Sequence, residues 1–367
     1  MSDPELNVLL FGGRFEVRGS SAYTLRLAEN LMDYGIVTRV VCPDAGWVEP
    51  GKRDLLSITE YTHMSFPLWG RVVMESLRRD FSKDPPNLIH IQSRNVLAQG
   101  TWLARRFRCP MVLTVHDYLS HRERLRFDSI YGQRMIAVSQ SVKSEIFNRT
   151  NLPEDMITVI HSGVEVPDEV DTLPVLDPGH APVVGTAGPL EAVKGLHFFL
   201  GAAQKVLAAR KDVEFLVSGA GPEEFNLRRL ARDLGIADHV TFIPNLLDFS
   251  TSLAAMDLFC LPSLRQGLGS IMLEAMALGK PVIATAVGGV YSVVRHNQTG
   301  LVVPPSNSAQ LAQQILELLN DPVQARAIGE AARRMVQEEF GVERMVRQTA
   351  DLYHEVLAET NVAAKAQ

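Results

Sequence analysis

The stretch Leu261-Pro-Ser-Leu-Arg-Gln-Gly-Leu-Gly-Ser-Ile-Met-Leu-Glu-Ala-Met-Ala-Leu-Gly-Lys-Pro-Val-Ile-Ala-Thr-Ala-Val-Gly-Gly289 decides the fold. The apolar run Leu258–Leu261 at its start reads as a buried strand, and Val282–Thr285 reads as a second. Between them lie a glycine-rich loop and a helix that begins near Ser270, so the unit is strand, loop, helix, strand. Gly267 and Gly269, on either side of Leu268, let backbone approach a ligand closely. The helix start at Ser270 offers N–H groups and a partial positive charge to an anion. Glu274, one turn into the helix, can face the same ligand, and a carboxylate there suits ribose or sugar hydroxyls better than phosphate. Taken alone, the segment also fits a structural turn whose glycines serve tight packing.

Outward from this unit the plan continues in both directions. Short β-branched runs alternate with longer amphipathic segments. In the first half the strand candidates are Asn7–Phe11, Thr38–Cys42, Leu88–Gln92, Met111–His116, Met135–Val138 and Ile157–Ile160. In the second they are Val183–Ala187, Val213–Ser218, Val240–Ile243, Leu301–Val303 and the two strands above. Helical periods such as Ser21–Tyr34 and Val96–Phe107 fall between them. The alternation predicts an α/β protein of two Rossmann-like, parallel-sheet domains with helices on both faces. Pro167, Pro174, Pro178 and Pro182 break any regular element and mark 167–182 as a linker. The expected organisation is an N-terminal domain over 1–166, the linker 167–182, a C-terminal domain over 183–341, and C-terminal helix 342–367 packing back on the first domain. The two domains are expected to face each other across a cleft at the carboxyl ends of their strands, where open α/β sheets bind ligands.

Composition agrees with this class. A chain of 367 residues is long for one core, and its 46% hydrophobic and 21% charged residues are those of a globular protein. The net charge of -6 gives no electrostatic support for a nucleic-acid partner. Cys42, Cys109 and Cys260 have no metal-ligand spacing and lie in or beside apolar runs, as small buried thiols do. No Walker lysine loop appears, and Ser218 lacks the Gly-x-Ser-x-Gly frame of an α/β-hydrolase. No apolar run reaches the roughly 18 residues that span a bilayer, and the N-terminus lacks a signal-peptide pattern. A cytoplasmic location is therefore expected, with peripheral contact at the inner membrane face open to it. Arg105, Arg106, Arg108, Arg122, Arg124 and Arg126 form a cluster that would suit an anionic acceptor or lipid headgroup, or simply a solvated face.

Five groups of polar and glycine residues sit at predicted strand ends or helix starts. Arg18-Gly19-Ser20-Ser21 follows the first strand, where it reads equally as an anion contact or an N-cap. His116, in Thr114-Val115-His116-Asp117, ends an apolar strand and could bond a substrate hydroxyl or remain structural. Gly188-Pro189-Leu190-Glu191-Ala192-Val193-Lys194-Gly195 puts Lys194 at a helix start, where it could meet a diphosphate as a point charge. Ser218-Gly219-Ala220-Gly221 makes a glycine turn between strand and helix, weak evidence by itself. The opening stretch completes the set.

In this order and spacing the chain resembles retaining glycosyltransferases of the GT-B fold, the Glu-x7-Glu family of group 1 glycosyl transferases. The resemblance covers nearly the whole length and extends to Ala137-Val138-Ser139-Gln140-Ser141, Val159-Ile160-His161-Ser162-Gly163-Val164 and Asp257-Leu258-Phe259-Cys260-Leu261-Pro262-Ser263. It implies hexosyl transfer from a nucleoside diphosphate sugar to the hydroxyl of an unspecified acceptor, with retention at the anomeric carbon and without a metal or other cofactor. By the same resemblance His116 contacts the donor sugar, Lys194 the diphosphate and Glu274 the ribose hydroxyls. Leu246 lies beside the nucleobase, and Gly19 borders the donor site. His116, Lys194 and Gln266 are the candidate catalytic residues. Gly19, Gly188, Gly219, Leu246, Gly267, Leu268, Gly269, Ser270 and Glu274 are the candidate donor-binding set.

Three positions depart from the family pattern. Gln266 stands where the first glutamate of the pair belongs, Pro189 where an arginine usually precedes the lysine by five residues, and Ser292 where a glutamate is common. A hydrogen bond to a charged acceptor contributes about 1.5–3 kcal/mol against roughly 0.5–1.5 for a neutral one, so Gln266 alone weakens donor handling without abolishing it. Losing a diphosphate cation at Pro189 is the larger effect, which Arg265, adjacent to Gln266, could offset. These departures favour the alternative, a nucleotide-sugar-binding GT-B protein with weak or no transfer activity that acts as a partner or regulator.

Overall fold

The computed structural model describes residues 6–16, 19–64, 66, 68–120, 122–168, 174–244 and 249–365. The first of two sheets contains β1 (Leu6–Phe11), β2 (Ile36–Cys42), β3 (Ile58–Glu60), β4 (Leu88–Ile91), β5 (Met111–Val115), β6 (Gly132–Ala137) and β7 (Ile157–Val159). Its spatial order is β3-β2-β1-β4-β5-β6-β7. The second contains β8 (Val183–Ala187), β9 (Glu214–Ser218), β10 (Val240–Ile243), β11 (Leu258–Leu261), β12 (Val282–Thr285) and β13 (Leu301–Val303), in the order β10-β9-β8-β11-β12-β13. Every ladder is parallel. Central strands such as Leu88–Ile91 and Leu258–Leu261 are buried along their whole length, as parallel strands covered on both faces must be. In each sheet the order reverses beside the first strand, between β1 and β4 and between β8 and β11. Open sheets bind ligands in the crevice at such a reversal, outside the carboxyl ends of the strands.

Chain contacts divide the protein into two units, 1–163 with 342–367, and 164–341. Helix Val342–Lys365 belongs to the first, where Met345, Val346, Leu352, Tyr353 and Val356 join the core built by Val8, Leu10, Leu27 and Val112. The stretch 167–182, which reads as a linker, behaves differently where it is described. Val175 and Leu176 enter the core of the second unit. The carboxylate of buried Asp257 accepts from the Leu176 N–H at 2.6 Å, the Val183 N–H at 2.8 Å and His180 Nε2 at 3.0 Å. Proline spacing signals the absence of a helix or strand, but not the absence of packing.

Local capping fixes several helix starts. Ser139 accepts from Val142 N, Asn307 from Gln310 N, and Asp321 from Gln324 N in front of Pro322 at the first helical position. Cys42, Cys109 and Cys260 are free and buried, and burial raises all three thiols, Cys42 and Cys109 to about 12. Among the described residues no helix is long and apolar enough to cross a membrane.

Candidate functional site

In the second unit, the loops after β8 and β11 meet at the reversal point because their backbones interlock. Lys194 ends a 3-10 turn, Ala192–Lys194, closed by Gly195 at φ 64°. A Cβ on Gly195 would lie 2.1 Å from Pro262 O, so only glycine lets the β8 loop pass this close to the β11 loop. The Leu264 N–H donates to Val193 O at 2.9 Å across the same seam. The result is a specific side-chain contact: Lys194 Nζ donates to Gln266 Oε1 at 3.1 Å, and Ser263 Oγ donates to the same oxygen at 3.1 Å. One amide oxygen thus takes two donors, as a carboxylate oxygen would.

The loop after β12 closes the other side. A Cβ on Gly289 would fall 1.9 Å from Gly267 O, and the Gly289 N–H donates to Gln266 O at 3.1 Å. Thr285 Oγ1 donates to Leu261 O at 3.2 Å and also to Ser263 O, which anchors the β11 loop from beneath. Gly269, at φ 94°, caps helix Ser270–Ala277. The helix starts where the sequence places it, with Leu268 buried behind it and Glu274 half-buried one turn in. The Gly188 N–H donates to Ser218 O at 3.0 Å and the Gly219 N–H to Ile243 O at 2.9 Å, so the loops after β8, β9 and β10 are tied edge to edge. Lys194, Gln266, Gly188, Gly219, Gly267, Gly269, Ser270 and Glu274 are therefore all placed at the carboxyl ends of one sheet. Leu246 lies outside the described residues. Of the positions that depart from the family pattern, Pro189 is half-buried beside Gly188 and Ser292 is exposed at the end of a 3-10 turn. Arg265 is exposed next to Gln266.

The first unit has its own pocket, about 710 Å³, at its reversal point. The loops after β1, β4 and β5 line it with Gly12, Gly13, Gln92, Arg94 and His116 among others, and Ser20 and Ser21 contribute from the helix Gly19–Asn30. Gly19 opens that helix and is not part of the lining. His116 packs edge-on against Tyr23 with ring centroids 4.9 Å apart. Burial, then the nearby Arg94 cation, push its imidazole down to about 3, against the opposing effect of a hydrogen bond to the Gln92 backbone. That carbonyl takes the ring N–H, and Nε2 has no partner among the described residues. His116 is thus a neutral hydrogen-bond acceptor, not a cation. Behind the pocket, His90 lies fully buried between Tyr353 OH at 2.5 Å and Thr114 Oγ1 at 2.7 Å, and burial pushes it down to about 3 as well.

Gln92, Arg94 and His90 carry no motif, and sequence reasoning passed over them. The one available signal is polar residues interrupting the apolar run Leu88–Gln92. Of the arginine cluster, Arg105 spends its charge on buried Asp128 at 2.6 Å, and Arg106 lies over the Trp102 ring.

Comparison with known proteins agrees with this architecture. Residues 175–335 match the family described as Glycosyl transferases group 1, and residues 17–167 match Glycosyltransferase Family 4. A 146-residue segment is 37% identical to the N-acetyl-alpha-D-glucosaminyl L-malate synthase of Bacillus anthracis, covering 40% of this chain and 38% of the relative. A 173-residue segment is 38% identical to a GDP-mannose-dependent monoacylated alpha-(1-6)-phosphatidylinositol monomannoside mannosyltransferase of Corynebacterium glutamicum, covering 45% of each. These matches thus span less than half the length of either relative. Among solved structures, Anabaena HepE in complex with UDP and glucose superposes with a TM-score of 0.81 at 20% identity, over 95% of this chain and 100% of that one. At that identity the likeness concerns the fold.

Proposed function

The chain belongs to the group 1 glycosyl transferases and has their GT-B fold, and on that premise we propose that it transfers a hexosyl group from a nucleoside diphosphate sugar to an acceptor hydroxyl with retention of configuration. The observation that carries this reading is the convergence of Lys194, Gln266, the Gly267–Gly269 loop and the start of helix Ser270–Ala277 at the β8/β11 reversal. A lysine and a helix N-terminus aimed at one crevice suit a diphosphate, and Glu274 beyond it suits ribose hydroxyls. The GDP-mannose dependence of the Corynebacterium glutamicum relative and the UDP held by the solved neighbour agree with a donor of this class.

In the proposed reaction the bond from the anomeric carbon to the diphosphate breaks, and the bond from that carbon to the acceptor oxygen forms on the same face. The acceptor proton passes to the departing diphosphate oxygen. Lys194 and the helix N–H groups stabilise the charge that develops on the leaving group, a preorganised electrostatic contribution. Arg265 offers a second cation where Pro189 supplies none. His116, in the first unit, is a neutral imidazole suited to accept a hydrogen bond from a sugar hydroxyl. No metal is needed for any of these steps.

Incubation with a panel of UDP- and GDP-sugars and a mixed polyol acceptor pool tests the reading, with nucleoside diphosphate release measured with and without a chelator. Release that survives chelation, with an α-linked product from an α-linked donor, is the expected result. Absence of release with every donor, or an inverted product, overturns the activity or its stereochemistry respectively.

A further inference from the structure

In the first unit, helix Trp69–Asp80 buries Gly70, Met74 and Leu77 and turns its other side outward. A built turn fixes its start: the Gly70 N–H donates to Phe66 O at 2.8 Å, and a Cβ on Gly70 would lie 2.5 Å from Met64 O. This turn holds Phe66, Leu68, Trp69 and Val72 away from the core, each between 57% and 80% exposed. Trp69 and Val72 are neighbours on the helix surface, three positions apart, and Phe66 and Leu68 lead into them. Single exposed apolar side chains are ordinary, but several together at one helix end mark an interaction surface.

The remainder of this face is basic. Glu75 pairs with Arg78 at 2.7 Å and with Arg79 at 3.6 Å. Arg106, on the adjacent helix Leu97–Phe107, adds its charge at the same carboxylate, so three cations share one anion. Asp80, the other acid of the helix, accepts from the Tyr61 hydroxyl at 2.7 Å. Arg71, between Trp69 and Val72 in sequence, is exposed and has no carboxylate partner among the described residues. A chain of net charge -6 thus gathers positive charge around its exposed apolar helix end.

The combination selects the partner. A second copy docking two-fold on this face would set arginine against arginine. Nucleic acid would engage the arginines and leave the apolar side chains in water. An anionic lipid surface meets both halves, because its headgroups attract the guanidinium groups while the indole and aliphatic side chains enter the interfacial layer. We propose that Phe66, Leu68, Trp69 and Val72, with Arg71 and Arg106, form a docking surface for an anionic lipid bilayer. Phe66 also lines the pocket of the first unit, so the docked bilayer lies beside the pocket mouth. The proposal stands on this face alone and does not rest on the transferase reading.

Flotation of the full chain with vesicles of phosphatidylcholine, and of phosphatidylcholine mixed with phosphatidylglycerol, tests it without any nucleotide. The chain should float with the mixed vesicles only, and added salt should weaken the binding. The double variant Leu68→Ser, Trp69→Ser should reduce binding at least about tenfold, since two apolar side chains no longer leave water. Arg71→Gln and Arg106→Gln should each reduce it about fivefold at low salt. All four positions are exposed, so thermal unfolding of the variants should match wild type. Absence of flotation with the mixed vesicles, equal flotation with neutral ones, or binding that neither the apolar nor the arginine variants weaken overturns the proposal. A dimer seen by ultracentrifugation and dispersed by Trp69→Ser, with no vesicle binding, overturns it in favour of a second copy.

Discussion

The Lys194–Gln266 contact is where single residues decide most. Gln266 Oε1 already takes donors from Lys194 and Ser263, so the site holds an amide in the geometry suited to a carboxylate. Gln266→Glu should therefore fold unchanged. It should raise the rate of nucleoside diphosphate release by about fivefold, since a charged partner contributes about 1 kcal/mol more than a neutral one. A rate equal to wild type with every donor would show that position 266 does not touch the sugar. Lys194→Ala removes the cation and should weaken a nucleoside diphosphate by roughly 1.5–3 kcal/mol while leaving the free nucleoside unaffected. Calorimetry with both ligands checks this, and equal losses would move Lys194 away from the phosphates.

Among the elements, helix Val342–Lys365 is held in the first unit by its apolar face and by a buried polar contact between Tyr353 and His90. Tyr353→Phe keeps the ring and its packing but strips His90 of a partner in a buried site, which should cost about 1–3 kcal/mol in urea unfolding. A change below about 0.5 kcal/mol would mean that the short His90–Tyr353 bond contributes little. His90 also makes stability depend on pH. In the unfolded chain a histidine takes up a proton near its ordinary value of about 6.5. In the folded protein burial holds His90 neutral until about 3. The unfolded state therefore binds the extra proton between these values, and stability falls as pH drops below about 6.5, by at most about 1.4 kcal/mol per pH unit for this group. NMR should show the His90 ring resonances unmoved between pH 7 and 5, and a normal titration there would contradict its burial. The three-residue strand Ile58–Glu60 went unread in the sequence because it is short, lies at the sheet edge and keeps Thr59 and Glu60 exposed, so no apolar alternation marks it.

For the whole molecule, the division of the chain makes a direct prediction. Met345, Val346, Leu352, Tyr353 and Val356 are buried in the first unit, and burial of such side chains contributes about 1.5–3 kcal/mol each. Their sum rivals the 5–15 kcal/mol net stability of an ordinary domain. A fragment ending at residue 163 should therefore fail to fold by circular dichroism. Residues 164–341, with a self-contained core and the Asp257 clasp on Leu176 and Val183, should fold alone and bind a nucleoside diphosphate. A folded 1–163 fragment would show that the final helix is dispensable.

Features that repeat or cap locally were legible from the residues alone. Alternating β-branched runs predicted twelve of the thirteen strands among the described residues, mostly to within one or two residues, because parallel strands are apolar throughout. The Gly267–Gly269 loop and the start at Ser270 were equally legible, since backbone conformation there depends on the residues themselves. Tertiary structure alone decided which distant residues meet. The Lys194–Gln266 bond spans 72 positions and depends on two loops interlocking at Gly195. His90 is buried only because Tyr353, 263 positions away, covers it. Gln92 became notable only once the fold had buried its amide without a partner, because burial and hydrogen-bond satisfaction are properties of the packed surroundings and not of the local chain.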